Sequence, residues 1–237
     1  MPELPPLRRA YAERNCTLLV VTVLREPVSH LVSDFFFSAR FLGTAAKRQR
    51  SQILGGDGTG RSANRSLLEH AKKYSELQMM HLACTRPTQC VTGDVQLHAG
   101  ARYRPDRVPV AHVRQTLRSF DVVGETSALP ALLTTLCRRL AVDSDHCPTD
   151  LAVNQARSQQ TLANGAGDGA ALSVDAARRL TAPGSPLHSQ LLAFAPLTAC
   201  VHGRVLREWR AGRVATGEDA FPESCLDVGP PPPSGAD

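Results

Sequence analysis

The most chemically specific spacing in the chain lies in Leu24-Arg25-Glu26-Pro27-Val28-Ser29-His30-Leu31-Val32-Ser33-Asp34-Phe35-Phe36-Phe37. A cation, Arg25, leaves the end of an apolar, β-branched run; a proline stands two positions later and a hydroxyl, Ser33, eight positions later. If the run is a strand and Pro27 opens a helix, free backbone N–H groups and the positive end of the helix dipole favour an anion at the junction. Arg25 adds a planar fork of donors matched to phosphate, and Ser33 completes the shell. Open α/β sheets bind ligands just beyond the carboxyl ends of their strands, so the pattern points to phosphate binding. On the residues alone a second reading stays open, because an arginine at a strand end is often a solvated charge or the partner of a nearby carboxylate.

The elements that must position these groups are legible around them. Thr17-Leu18-Leu19-Val20-Val21-Thr22-Val23-Leu24 is nearly unbroken in apolarity and suits a central parallel strand buried on both faces. From Pro27 the apolar positions Val28, Leu31, Val32, Phe35 and Phe36 follow a helical period, with Pro27 at the first helical position. Residues 45–66 are basic, glycine-rich and aperiodic; Leu67, Leu68, Ala71, Tyr74, Leu77 and Met80 then predict a second helix. Val110, Val113, Leu117 and Phe120 predict a third, Val122-Val123 a short strand before Gly124, and Leu129, Leu132, Leu133, Leu136 and Leu140 another helix. Residues 161–185 read as a surface insertion, and the apolar spacing from Leu187 to Trp209 as closing helices. The expected fold is α/β, a parallel sheet flanked by helices, in one domain over residues 1–225, with a disordered proline-rich tail at 226–237.

Composition narrows the function classes. The 237 residues carry a formal charge of +5, which suits a polyanionic partner. Only Lys47, Lys72 and Lys73 are lysines, so the basic excess is arginine. With 5% aromatic residues and no stacking platform or recognised recognition helix, a nucleic-acid partner is not expected. The seven cysteines contain no CxxC pair, and His81, Cys84, Cys90 and His98 match no zinc spacing, so no metal is expected. Gly55-Gly56-Asp57-Gly58-Thr59-Gly60-Arg61-Ser62 approximates a nucleotide loop, but Arg61 replaces its lysine and no apolar strand precedes it. Two glycosylation sequons, Asn15-Cys16-Thr17 and Asn64-Arg65-Ser66, fit a secretory-pathway protein.

The Arg25 to Phe37 segment resembles the 3′-phosphate-binding motif of sulfotransferases: Arg-Asp/Glu-Pro, an apolar helix with Ser eight positions after the Arg, then an aromatic cluster. The resemblance implies that Arg25 and Ser33 bind the 3′-phosphate of the co-substrate 3′-phosphoadenosine 5′-phosphosulfate. Phe36-Phe37-Ser38-Ala39-Arg40-Phe41-Leu42-Gly43 and Val122-Val123-Gly124-Glu125-Thr126 are similar to later segments of the Golgi carbohydrate branch, in particular the heparan sulfate and uronyl 2-O-sulfotransferases. Together the likeness spans roughly residues 16–210. It implies an incomplete P-loop-like sulfotransferase fold, a carbohydrate or glycan acceptor, a Golgi lumenal location, and membrane attachment only through an N-terminal anchor that this chain lacks. It further implies a disulfide loop between Cys84 and Cys90; without that context the two read as free thiols near a turn.

The chain departs from the family at its start. Sulfotransferases open with a Pro-Lys-x-Gly/Ala-Thr/Ser loop that holds the 5′-phosphosulfate, whereas all three lysines here follow the 3′-phosphate motif. In the heparan sulfate branch the catalytic base is a histidine upstream of the motif, and no residue here is assigned that role. His30 stands where relatives carry arginine and reads as a helix-surface residue; Arg157 and Ser158 lie where the family makes further donor contacts but read as a surface loop. The expectation is a sulfotransferase lacking its 5′-phosphosulfate loop. The alternative is a non-catalytic relative that binds a glycan or protein partner.

Overall fold

A computed structural model describes residues 4–41, 61–74, 76–83, 96–97, 101–102, 110–147 and 174–229. The elements in chain order are α1 (Leu4–Ala12), β1 (Val21–Leu24), α2 (Pro27–Phe41), α3 (Arg61–Tyr74), α4 (Leu77–Ala83), β2 (Gln96–Leu97), β3 (Ala101–Arg102) and α5 (Val110–Arg118). They continue with β4 (Val122–Glu125), α6 (Leu129–Arg139), α7 (Val174–Leu180), α8 (Pro186–Ala193), α9 (Pro196–Arg210) and α10 (Gly217–Ala220). The architecture is mixed α/β and mostly helical. Its one parallel pair among the described residues is β1 with β4, in the register Val21↔Val122 to Leu24↔Glu125. The described β2 and β3 form a separate antiparallel pair.

Contacts group the chain into two compact units where the sequence reading takes residues 1–225 as one domain. One is built from Met1–Glu26, Glu76–Thr149 and Pro196–Pro230, the other from Pro27–Ser75 and Asp150–Ala195 with the chain end. Each has its own apolar core. In the first, Leu24 and Val123 of the strand pair pack with Met79 of α4, Val113 and Leu117 of α5, Val201 and Val205 of α9, and Phe221 and Cys225 beyond α10. In the second, Val28, Leu31, Val32 and Phe35 of α2 pack with Leu67 and Ala71 of α3, Ala177 of α7, Leu187 and Leu191 of α8, and Phe194 just after it.

The expected strand 17–24 is shorter in the structure. Only Val21–Leu24 forms the strand, and Val23 is 38% exposed rather than buried. Burial of a strand on both faces requires partners on both edges and cover on both sides; among the described residues β1 has one strand neighbour, β4. β4 is the more enclosed of the two, with all four residues buried. On its other edge Val123 donates its N–H to the Ala215 carbonyl at 2.8 Å, and the Trp209 indole N–H donates to the Val123 carbonyl at 2.9 Å. Asp121 fixes the entry to the pair, accepting from the Val20 N–H at 2.8 Å and pairing with Arg8 of α1 at 2.9 Å.

The single helix expected from Leu67 to Met80 is two. α3 begins at Arg61 and ends at Tyr74; Glu76 then takes a left-handed conformation (φ +58°) before α4 starts. The cause is tertiary. Glu76 is 2% exposed, and its carboxylate accepts the Leu197 N–H at 2.5 Å, the Thr198 N–H at 2.8 Å and the Thr198 hydroxyl at 2.5 Å. These are orphan donors of the first turn of α9, so a residue 121 positions upstream caps that helix. Burial pushes the Glu76 pKa up, against the pull of the three donors.

Among the described residues two disulfides, Cys137–Cys147 and Cys200–Cys225, join Cα atoms 5.9 and 5.8 Å apart, both in the first unit. Neither pairing is an expectation of the sequence. The implied Cys84–Cys90 loop, the residues 157–158, the glycine-rich run 55–60 and the proline run from 230 onward lie outside the described residues.

Candidate functional site

Because β1 and β4 are parallel and Leu24 pairs with Glu125, both strands end at the same edge of the first unit. Arg25 is the first residue past β1, partly buried, and its N–H donates to the Gln78 side-chain oxygen of α4 at 3.2 Å. That bond fixes the Gln78 amide with its nitrogen as the donor end, and this nitrogen is buried with no hydrogen-bond partner. A phosphate oxygen at the strand end would supply the acceptor that a buried amide donor calls for. Ser33, the second expected phosphate ligand, lies within α2 in the second unit, partly buried, six residues after Pro27. Pro27 opens α2 as the sequence predicts, with Val28, Leu31, Val32 and Phe35 on its buried side.

The edge also carries groups that sequence reasoning missed. Glu125 ends β4 with 2% exposure and accepts from the Ser127 N–H at 2.7 Å, from the Ser127 hydroxyl, and from the Thr126 hydroxyl at 3.2 Å. His202 of α9, 6% exposed, places its Nε2 at 3.4 Å from the Glu125 carboxylate. Burial raises the Glu125 pKa, but the Ser127 hydroxyl, His202 and the Ser127 N–H pull it down further, and the net position is below the ordinary carboxylate range. A carboxylate with a depressed folded-state pKa stabilises the fold above its unfolded pKa, and that stability is lost as pH falls through the folded value. Replacing Glu125 by glutamine is therefore expected to lower the thermal midpoint near neutrality and to flatten its decline in acid, measured by thermal melts across a pH series. An unchanged acid limb would show that the carboxylate is not the group responsible.

Gly124, inside the segment Val122 to Thr126, has a local reason to be glycine: an added Cβ would lie 2.5 Å from a methyl of Leu132. The close approach seats α6 on β4, with Leu132 buried. Of the leucines expected to form the buried face of α6, Leu132 is buried, Leu133 and Leu136 are half-buried, and Leu140 is 47% exposed.

In the second unit, Asp34, next to Ser33, holds the His70 Nε2 of α3 at 3.0 Å. The His70 ring lies 4.4 Å from the Tyr74 ring and edge-on to Phe35 at 5.3 Å. Burial, and then the Asp34 charge, push the Tyr74 hydroxyl above its usual pKa. No signal in the sequence marks His70 or His202, because each acquires its carboxylate from a different element of the fold.

Among the described residues, no group of three His, Cys, Asp or Glu side chains could hold a metal ion, and no helix is long and apolar enough to cross a membrane. Compared with models of known protein families, with curated proteins and with solved structures, the chain matches none.

Proposed function

We propose that this chain carries the 3′-phosphate-binding part of a sulfotransferase that moves a sulfuryl group from 3′-phosphoadenosine 5′-phosphosulfate to a carbohydrate hydroxyl. The observation that carries the reading is the position of Arg25, directly beyond β1 at the edge where two parallel strands end together. A cation there, two residues before the proline that opens a helix, supports the reading, because anions are held near helix N-termini at the strand ends of open α/β sheets. The buried, unpartnered Gln78 amide nitrogen beside the Arg25 backbone gives further support.

The co-substrate supplies the activated sulfuryl group. The roles of the chain's own residues are to hold and orient its 3′-phosphate: Arg25 through its guanidinium, Ser33 through its hydroxyl. The two disulfides support the Golgi lumen as its location, since such bonds persist in oxidising compartments.

The reading is tested by titrating the protein with 3′-phosphoadenosine 5′-phosphate and with adenosine 5′-phosphate, using calorimetry. The first nucleotide is expected to bind and the second to bind far more weakly. Arg25→Ala is expected to weaken the first roughly 100-fold, the loss of a charge-assisted bidentate contact, and to leave the second unchanged. Equal affinities for the two nucleotides would overturn the reading.

A further inference from the structure

We propose that Asn15 carries an N-linked oligosaccharide. The sequon Asn15-Cys16-Thr17 has a non-proline middle residue and a terminal hydroxyl, and all three residues are exposed. Asn15 is the last residue of the turn that ends α1 and lies on the exposed chain before β1, so an attached glycan would leave the first unit without displacing any of its core.

The turn has a defined geometry. Asn15 adopts a left-handed conformation (φ +53°); its N–H donates to the Ala12 carbonyl at 3.0 Å, and the Cys16 N–H donates to the Tyr11 carbonyl at 3.0 Å. This pair of bonds is a Schellman closure with Asn15 at the left-handed position, where glycine is commonest and asparagine is also found. Asparagine there has a second explanation, its tolerance of a positive φ. Thr17 is what that explanation leaves unaccounted for: it is exposed and lies two residues beyond the turn, at the position the modification requires.

The compartment comes from an independent observation. Cys137–Cys147 and Cys200–Cys225 are disulfide-bonded, and Cys225 lies wholly inside the first core. Structural disulfides form and persist in the lumen of the secretory pathway, which is also where asparagine glycosylation takes place. The local fold allows the reaction as well. α1 is nine residues long and buries none of them, and so short a helix is marginal without packing, so the sequon remains accessible as extended chain early in folding. The other sequon offers a contrast, since Asn64 lies inside α3, a helix anchored by Leu67 and Ala71 in the second core.

The donor is a lipid-pyrophosphate-linked oligosaccharide. The Asn15 side-chain nitrogen forms a bond to the anomeric carbon of the first sugar, and the bond from that carbon to the pyrophosphate oxygen breaks. One amide proton is lost, and the lipid pyrophosphate is the leaving group.

The test uses the protein isolated from the cells that make it. Treatment with peptide N-glycosidase in H2 18O converts a glycosylated asparagine to 18O-labelled aspartate, which peptide mass spectrometry reads. Labelled aspartate at position 15 is the expected result. Two variants separate the glycan from the turn. Thr17→Ala leaves Asn15 and its turn in place and is expected to abolish the label; Asn15→Gly retains the left-handed turn and is expected to abolish the electrophoretic shift on deglycosylation. An unlabelled asparagine at position 15, a label confined to position 64, or a label that survives Thr17→Ala would overturn the proposal.

Discussion

Replacing Gly217 by alanine is expected to prevent the first unit from reaching its native packing. A Cβ at this position would lie 1.7 Å from the carbonyl oxygen of Leu117, 2.6 Å from its carbonyl carbon and 2.9 Å from the Phe120 carbonyl oxygen. All three are backbone atoms, so no rotamer change relieves the clash. The end of α5 and the start of α10 would have to separate, breaking the bond from the Gly217 N–H to the Phe120 carbonyl at 3.1 Å and disturbing a core that includes Leu117, Ala220 and Phe221. The cost should exceed about 4 kcal/mol, in the range reserved for severe steric or core defects. Gly212→Ala and Gly229→Ala serve as controls because neither added Cβ meets an atom within 4 Å. The first should cost about 1 kcal/mol because Gly212 has φ +70°; the second should be near neutral. Urea denaturation followed by near-ultraviolet circular dichroism orders the three, and a Gly217→Ala midpoint close to wild type would refute the packing described around α10.

Replacing Glu76 by alanine is expected to cost about 3 kcal/mol, because it leaves the Leu197 and Thr198 N–H groups and the Thr198 hydroxyl without their buried acceptor. The variant also removes a carboxylate from the positive end of α9. Glu76→Gly separates the two roles of the residue: it relieves the positive φ while still removing the acceptor, so it should be less destabilised than Glu76→Ala by roughly 1 kcal/mol. Amide hydrogen exchange gives the direct reading. The Leu197 and Thr198 amides, which donate to the buried Glu76 carboxylate in the native protein, should exchange much faster in both variants than in the wild type, whereas a merely local effect on α4 would leave their exchange unchanged. The pH dependence runs opposite to that of Glu125. The folded-state pKa of Glu76 is raised, so the proton is bound more tightly in the fold than in the unfolded chain, and the stability this confers is lost as pH rises through the folded value.

Local periodicity and chain punctuation made several elements legible. Pro27 with the spacing of Val28, Leu31, Val32 and Phe35 predicts α2, and the structure begins the helix at that proline. Val110 to Phe120, Val122-Val123 and Leu129 to Leu140 predict a helix, a strand and a helix, found as α5, β4 and α6 with ends that differ by no more than two residues. Thr17 to Val20 misled for a physical reason. Apolar, β-branched residues are compatible with a strand, but extended pairing also requires a neighbour, and β4 supplies one only from Val21 onward.

What the sequence by itself determined is local: helix starts at prolines, apolar faces, and the order in which a cation, a proline and a hydroxyl follow the end of an apolar run. Only the tertiary structure decided which distant groups meet: that Leu24 lies beside Glu125, so that Arg25 emerges at a shared strand edge, and that Cys200 pairs with Cys225. It also decided that Glu76 caps α9 and that His202 reaches Glu125. The reason is that helix periodicity and proline geometry act over a few residues and leave a pattern in the chain, whereas a buried carboxylate is stabilised by donors brought to it only when the core closes.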